Sequence, residues 1–305
     1  MERPQLPLLA RILRAYYRTN LRGCTRATLT LAKYVKSLQA VPIQIDDWPA
    51  IYVDLRLLNA HFWLLGTPFA HSPIELDEQI VMRRFVREGD VVFDIGANFG
   101  VHTALLAQLA GHVFAFEPNP ELLPALALTI EALGNATLFP IAMSDDDADA
   151  TFFVPKDRAM ASLSDWTSLE PMDAWREKLA LGKAHTINVR QQRMDDLVSS
   201  GVLPKPGFIK CDVEGAELKV FRGAQKTLDR EDAPIILFEA GPESAAGFGL
   251  AMTAAADFLL ALPRPGYEIF EILGGGTLRR VRPADLTPKN QNVLAVPRSS
   301  AARLL

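Results

Sequence analysis

The stretch Asp94-Ile-Gly-Ala-Asn-Phe-Gly100, entered by Val91-Val-Phe93 and followed by Thr103-Ala-Leu-Leu-Ala-Gln-Leu109, decides the fold. An apolar run, a glycine turn and a run with helical spacing make strand, turn and helix. A second apolar run, Val113-Phe-Ala-Phe116, ends at Glu117, 21 residues after Gly96. With no Cβ at Gly96 or Gly100, the loop backbone can approach a ligand closely. An acid at the tip of the second strand can accept hydrogen bonds from two ribose hydroxyls. This order of strand, acid, loop, helix, strand and acid points to a nucleoside-bearing ligand.

The glycine spacing narrows the ligand. A dinucleotide loop reads GxGxxG and sets a pyrophosphate on the helix N-terminus. Here the spacing is Gly96-x-x-x-Gly100, with Asp94 at its mouth. A carboxylate there repels a pyrophosphate but suits a ligand carrying an ammonium and a sulfonium, which is S-adenosylmethionine.

Working outward, strands and helices alternate to about residue 240. Strands are expected at 137–141, 151–154, 186–193, 208–212 and 235–239, with helices at 120–133, from 217 to about 228, and near 251–261. This is an α/β, doubly wound, mostly parallel sheet with helices on both faces. Residues 267–296 are expected to add an antiparallel edge hairpin. Before the first core strand lie an amphipathic helix over 76–86, short strands at 41–45 and 51–56, and one or two helices broken at Gly23. Two parts follow: an N-terminal helical and short-strand extension over 1–75, and the main domain over 76–300. Residues 155–185, irregular and holding Trp166 and Trp175, are the candidate substrate lid. Ligands of such sheets bind beyond the carboxyl ends of the strands. Asp94, Glu117, Asp212 and Glu239 fall at four strand ends, which suggests one shared site.

The chain has 305 residues, 49% of them hydrophobic, enough for a sizeable core. Its net charge of −4 is unevenly placed. Residues 1–40 hold eight Lys and Arg against Glu2 alone, leaving 24 basic and 35 acidic residues elsewhere. Arg11, Arg14, Arg18 and Arg22 stack on one helical face. That face either contacts an anionic membrane surface or acidic partner, or is a solvated face of a helix packed on the main domain. No basic groove with interleaved aromatics indicates nucleic acid. The two cysteines, Cys24 and Cys211, lack metal-ligand spacing and suit a reducing compartment. With no apolar run near 18 residues and no apolar leader, the expected location is cytoplasmic.

Four blocks carry a family resemblance. They are Gly89-Asp90-Val-Val-Phe-Asp94-Ile-Gly-Ala-Asn98-Phe-Gly100 with Thr103; Phe116-Glu117-Pro118-Asn119-Pro120; Ala142-Met-Ser144-Asp145; and Ile209-Lys210-Cys-Asp212-Val-Glu214-Gly215-Ala-Glu217, continuing to Gly223-Ala224. Over roughly residues 80–240 the chain resembles the FkbM-type S-adenosylmethionine-dependent methyltransferases. Cys211 and His102 depart from the residues more usual there. The resemblance implies the class I methyltransferase (Rossmann-like) fold, with O-methylation of sugars or secondary-metabolite hydroxyls. Carried onto this chain, Asp94, Gly96, Ala97, Asn98, Gly100 and Thr103 lie along the methionine and ribose. Glu117, with Pro118 and Asn119, holds the ribose hydroxyls, and Ser144 and Asp145 flank the adenine. Asp212 faces the methionine end or the acceptor.

Methyl transfer to a hydroxyl gains from a positioned acceptor and a base. Asp212, then Glu214, are the candidates for orienting or deprotonating the acceptor; either can instead cap the following turn. Lys210 is expected to pair with an acid across the sheet, and His102 to pack beside the loop. Asp145, Asp212 and Glu239 carry oxygens of the type Mg²⁺ takes, but no spacing dictates a site and no metal is assigned. The expected function is O-methylation of a sugar, glycan or glycosylated metabolite. The alternatives are a carboxylate or amine acceptor, or a non-catalytic cofactor-binding scaffold. Partners are thus a small-molecule or glycan acceptor, with contact of residues 1–40 to a membrane surface and a homo-oligomer left open.

Overall fold

The computed structural model describes residues 5–19, 22–45, 48–58, 60–64, 73–155, 160–165, 167, 184–288 and 292–304. Two N-terminal helices, Leu8–Arg18 and Cys24–Tyr34, meet at Gly23, where φ is +91°. They lead to an antiparallel pair, β1 (Val41–Ile43) and β2 (Ile51–Val53). A helix Pro73–Phe85 precedes the main sheet.

That sheet contains β3 (Val91–Ile95), β4 (His112–Phe116), β5 (Ala136–Phe139), β9 (Phe208–Cys211), β10 (Ile235–Glu239), β11 (Glu268–Leu273), β12 (Thr277–Val281) and β13 (Asn292–Val296). Among the described residues their spatial order is β12-β11-β13-β10-β9-β3-β4-β5. The pairs β5–β4, β4–β3, β3–β9 and β9–β10 are parallel, and β13 runs antiparallel to both β10 and β11. This is the α/β, mostly parallel arrangement expected. The order reverses between β3 and β9, which puts a crevice at their carboxyl ends.

The central strands are apolar on both faces because helices cover both. Successive residues feed two cores. Val92, Val113, Phe208, Ile235 and Leu237 pack on one side with Val81, Phe85, Leu105 and the N-terminal residues Leu13, Leu38, Ile51 and Leu55. Phe93, Ile95, Phe116, Ile209 and Phe238 pack on the other with Leu197, Leu218, Phe221 and Leu259. The N-terminal segment therefore shares a core with the sheet. Its first helix buries Ala10 and Leu13 but leaves Leu8 and Ile12 exposed beside Arg11. No helix of the described residues is long and apolar enough to cross a membrane.

Three local expectations are corrected. The expected hairpin over 267–296 is β11 with β12 at the sheet edge, while β13 lies inside the sheet. The residues explain the division: Val293–Val296 are all buried, whereas β12 turns Arg279 and Arg280 to solvent, as edge strands do. The helix expected from Pro120 begins at Leu123. The side chain of Asn119 accepts the amide of Glu121 at 3.0 Å and makes Pro118–Pro120 a turn. The strand expected near 151–154 is not an addition to the main sheet. It is β7 (Asp149–Val154), which joins β8 (His185–Gln192) and β6 (Ala142–Met143) in a separate small sheet. Of the expected lid, residues 156–159, 166 and 168–183, including Trp166 and Trp175, lie outside the described residues.

Candidate active site

A cavity of about 470 Å³ opens at the carboxyl ends of β3, β4 and β9, a size typical of sites for small ligands. Its floor is the loop after β3. Gly96, Asn98 and Gly100 all adopt positive φ, +82°, +53° and +82°. A Cβ on Gly96 would stand 1.8 Å from the carbonyl oxygen of Asp212, so both its conformation and its packing require glycine. The amides of Gly96 and Ala97 both donate to the carbonyl of Phe116 at 3.0 Å, tying the loop to the end of β4.

Glu117 follows directly and is 5% exposed. Its Oε2 accepts the amide of Asn98 at 2.9 Å and its Oε1 that of Asn119 at 2.8 Å. Burial pushes its carboxyl up to about 7, against the pull of these two amides. The carboxylate is thus fixed in orientation, and each oxygen keeps a lone pair. Pro118, Ile141, Ala142, Met143 and Phe116 give this end of the cavity an apolar wall.

Asp94 is fully buried, and its Oδ2 accepts the hydroxyl of Thr103 at 2.5 Å. Lys210 faces it across the β3–β9 pairing, with Nζ 3.6 Å from Asp94, 3.2 Å from Asp212 and 3.2 Å from the carbonyl of Gly96. Burial works against charge on Lys210. The carboxylates of Asp212 and Asp94 outweigh it and hold the ammonium well above its usual range. His102, in the helix Val101–Leu109, lines the cavity with Nε2 3.5 Å from Glu78. Burial and Lys210 push His102 down to about 4, so its ring is neutral at pH 7.

Opposite the glycine loop lies the turn after β9. Asp212 is 40% exposed and Glu214 adopts φ +54°. Glu217, buried and pushed by that burial up to about 7, accepts the amides of Val213 at 3.0 Å and Gly215 at 3.3 Å. From the other side, Ser162 donates to the carbonyl of Glu214 at 2.8 Å. Behind this turn, burial and the neighbouring acids, Asp212 first, raise the carboxyl of Glu239 well above its usual range.

The structure thus brings Asp94, Gly96, Ala97, Asn98, Gly100, Thr103, Glu117, Pro118, Asn119, Asp212 and Glu214 to one end of the sheet. Gly96, Ala97, Asn98, Glu117, Pro118, Asp212 and Glu214 line the cavity itself. Gly100, Thr103, Asp94 and Asn119 stand behind them. Ser144 and Asp145 do not line it. Ser144 packs its carbonyl against Gly223, and Asp145 pairs with Lys219 at 2.6 Å. Trp63, Phe152 and Leu163 also line the cavity, which the motifs did not reveal, and Glu78 stands beside the lining residue His102. Glu78 did leave a signal: it falls on the buried face of its helix with Val81, Met82 and Phe85.

A family model described as the methyltransferase FkbM domain matches residues 94–269, more than half of the chain. The chain belongs to the FkbM methyltransferase family. Membership bears out S-adenosylmethionine as the cofactor. This FkbM domain is similar to the hexuronic acid methyltransferase AglP of Haloferax volcanii, 31% identical over 173 residues, which are 54% of this chain and 63% of that protein. It is also similar to the 2-O-methyltransferase NoeI of Sinorhizobium fredii, 28% identical over 163 residues, 52% of this chain and 67% of that one. The chain thus spans about two thirds of the length of these curated relatives. A solved methyltransferase FkbM from Methylobacillus flagellatus aligns over 79% of this chain and 54% of its own, at 18% identity and a TM-score of 0.42.

Proposed function

We propose that this protein is an S-adenosylmethionine-dependent O-methyltransferase whose acceptor is a hydroxyl of a sugar or glycan. The observation that carries this reading is the opposition, across one cavity, of the glycine loop with Glu117 and the carboxylates of Asp212 and Glu214. The names of the two curated relatives, one acting on a hexuronic acid and one a 2-O-methyltransferase, support a sugar acceptor.

The cavity suits the cofactor. Its glycine loop lets backbone come close, the fixed Glu117 oxygens match a pair of ribose hydroxyls, and the apolar wall at Ile141–Met143 suits an adenine face. When bound, the cofactor supplies an electrophilic methyl group on a sulfonium. Asp94 and Asp212, with Lys210 between them, would set the field at the methionine end. Asp212 and Glu214 would orient the acceptor hydroxyl and take up its proton, and Phe152, Leu163 and Trp63 would exclude water. Much of the acceleration then comes from holding the acceptor oxygen against the methyl carbon. A carboxylate acceptor fits less well, because an added anion would face Asp212 and Glu214.

The test is calorimetric titration with S-adenosylmethionine and S-adenosylhomocysteine, with NAD as control, followed by assay of S-adenosylhomocysteine release with hexose and hexuronic acid glycosides. Micromolar binding of the adenosyl compounds alone, with turnover on a glycoside, is expected. Binding without turnover on any hydroxyl acceptor would favour the scaffold reading. No binding by folded protein would remove the cofactor assignment.

A further inference from the structure

Asp212, Glu214 and Glu239 each bring one carboxylate oxygen to within 4.8 Å of those of the other two. The three come from separate places in the sequence: the end of β9, the strained turn after it, and the end of β10. Carboxylates this close repel unless one holds a proton or a cation stands among them. Of the three, Lys210 pairs with Asp212. Its ammonium lies against Asp212 and Asp94, and its remaining hydrogen bond goes to the carbonyl of Gly96. Lys210 is also the cation among the described residues that line the cavity.

Glu239 supplies the independent observation. Its Oε2 is wholly buried and has no hydrogen-bond partner among the described residues. A buried carboxylate oxygen left unpartnered costs its full desolvation with no hydrogen bond in return. Such a group in a native protein calls for a reason, and a bound ion is one. With carboxylate oxygens of Asp212 and Glu214 within 4.8 Å, a cation both completes this group and offsets the acids around it.

The donor set is all oxygen, the choice of hard divalent cations. Oxygens on opposite sides of a Ca²⁺ ion stand roughly 4.6–5.2 Å apart, and around Mg²⁺ roughly 4.0–4.2 Å. A spread within 4.8 Å therefore admits an ion with little side-chain movement. Three protein ligands leave coordination positions open, as at sites where a metal receives a substrate. Asp212 and Glu214 line the cavity, so those positions face the proposed acceptor.

We propose that Asp212, Glu214 and Glu239 hold a hard divalent cation that receives two neighbouring hydroxyls of the acceptor at the cavity mouth. The ion offsets the carboxylates and fixes the acceptor's orientation. The acceptor part of this assignment rests on the O-methyltransferase reading; the ion site itself does not.

The probe is Mn²⁺, titrated into the ligand-free full chain and followed by the loss of its free-ion electron paramagnetic resonance signal. One bound equivalent is expected, displaced by Mg²⁺ or Ca²⁺. Glu239→Gln keeps shape and removes charge, and should weaken Mn²⁺ binding at least tenfold, as should Asp212→Asn. Glu243→Gln, at an exposed acid nearby, should leave it unchanged. Circular dichroism and melting curves establish that each variant is folded. Affinity for S-adenosylhomocysteine, measured in parallel, should change less than twofold in Glu239→Gln. Absence of Mn²⁺ binding by protein that binds S-adenosylhomocysteine would overturn the site and leave the methyltransferase reading intact. Mn²⁺ binding undiminished in both acid variants would also overturn it, because the ion would then lie elsewhere. Mn²⁺ binding lost in both variants, in protein that fails to bind S-adenosylhomocysteine, would uphold the ion site and remove the functional reading.

Discussion

Glu117 is held by two backbone amides yet keeps acceptor capacity toward the cavity. Replacing it with alanine should weaken S-adenosylhomocysteine binding by about 1–3 kcal/mol, or roughly 5- to 150-fold, through lost charge-assisted hydrogen bonds. Calorimetry on folded mutant checks this, and unchanged affinity would remove Glu117 from the ribose site. Its titration gives a second expectation. In the ligand-free protein the carboxyl ionises at about 7, and the ionised form is the better acceptor for two hydroxyls. Affinity should therefore be level above pH 7 and fall as pH drops below it, by up to tenfold per unit. A dissociation constant that stays flat from pH 6 to 8 would contradict an ionised Glu117 in the bound state. Asp94, Glu117 and Asp212 were legible in the sequence because each ends an apolar run, and strand ends share one side of a parallel sheet. Trp63 was not, because the helix Ala60–Leu64 carries it to the cavity through long-range packing. The motif alone does not show that the Ser144 carbonyl packs against Gly223 or that Asp145 pairs with Lys219.

Between elements, a tight joint lies where the helix Glu217–Arg222 ends against the chain leaving β6. Gly223 has an ordinary φ of −71°, yet a Cβ there would stand 1.8 Å from the carbonyl oxygen of Ser144. Gly223→Ala tests packing without backbone strain. It should cost at least about 1–3 kcal/mol, since overpacking against backbone cannot be relieved by a rotamer change. Chemical denaturation measures this, and a mutant of unchanged stability would show that the joint yields. The same joint fixes the helix whose Glu217 holds the amides of Val213 and Gly215, so weakened cofactor binding should accompany the loss. Strand and helix order could be read from apolar runs and glycines. The position of β13 could not, because periodicity states that a segment is a strand and is silent about its neighbours.

At the scale of the molecule, the N-terminal helices and the β1–β2 pair bury Leu13, Leu38, Ile51 and Leu55 in the core that also holds Val92 and Leu105. Division at residue 75 follows composition and motif coverage, whereas packing crosses it. Leu38, fully buried, tests which governs stability. Leu38→Ala should cost about 2–5 kcal/mol and lower the melting temperature of the whole protein in one transition. A calorimetric trace that splits in two, with the later transition unmoved, would show that the extension melts by itself. The order of the main sheet has another consequence, for synthesis on the ribosome. Because β13 is the wedge between β10 and β11, a nascent chain that has not yet emerged past residue 292 presents two bare strand edges. Those edges can pair with other chains. Translation pausing late in the message would therefore favour aggregation of this protein more than an equal pause before β10 is made.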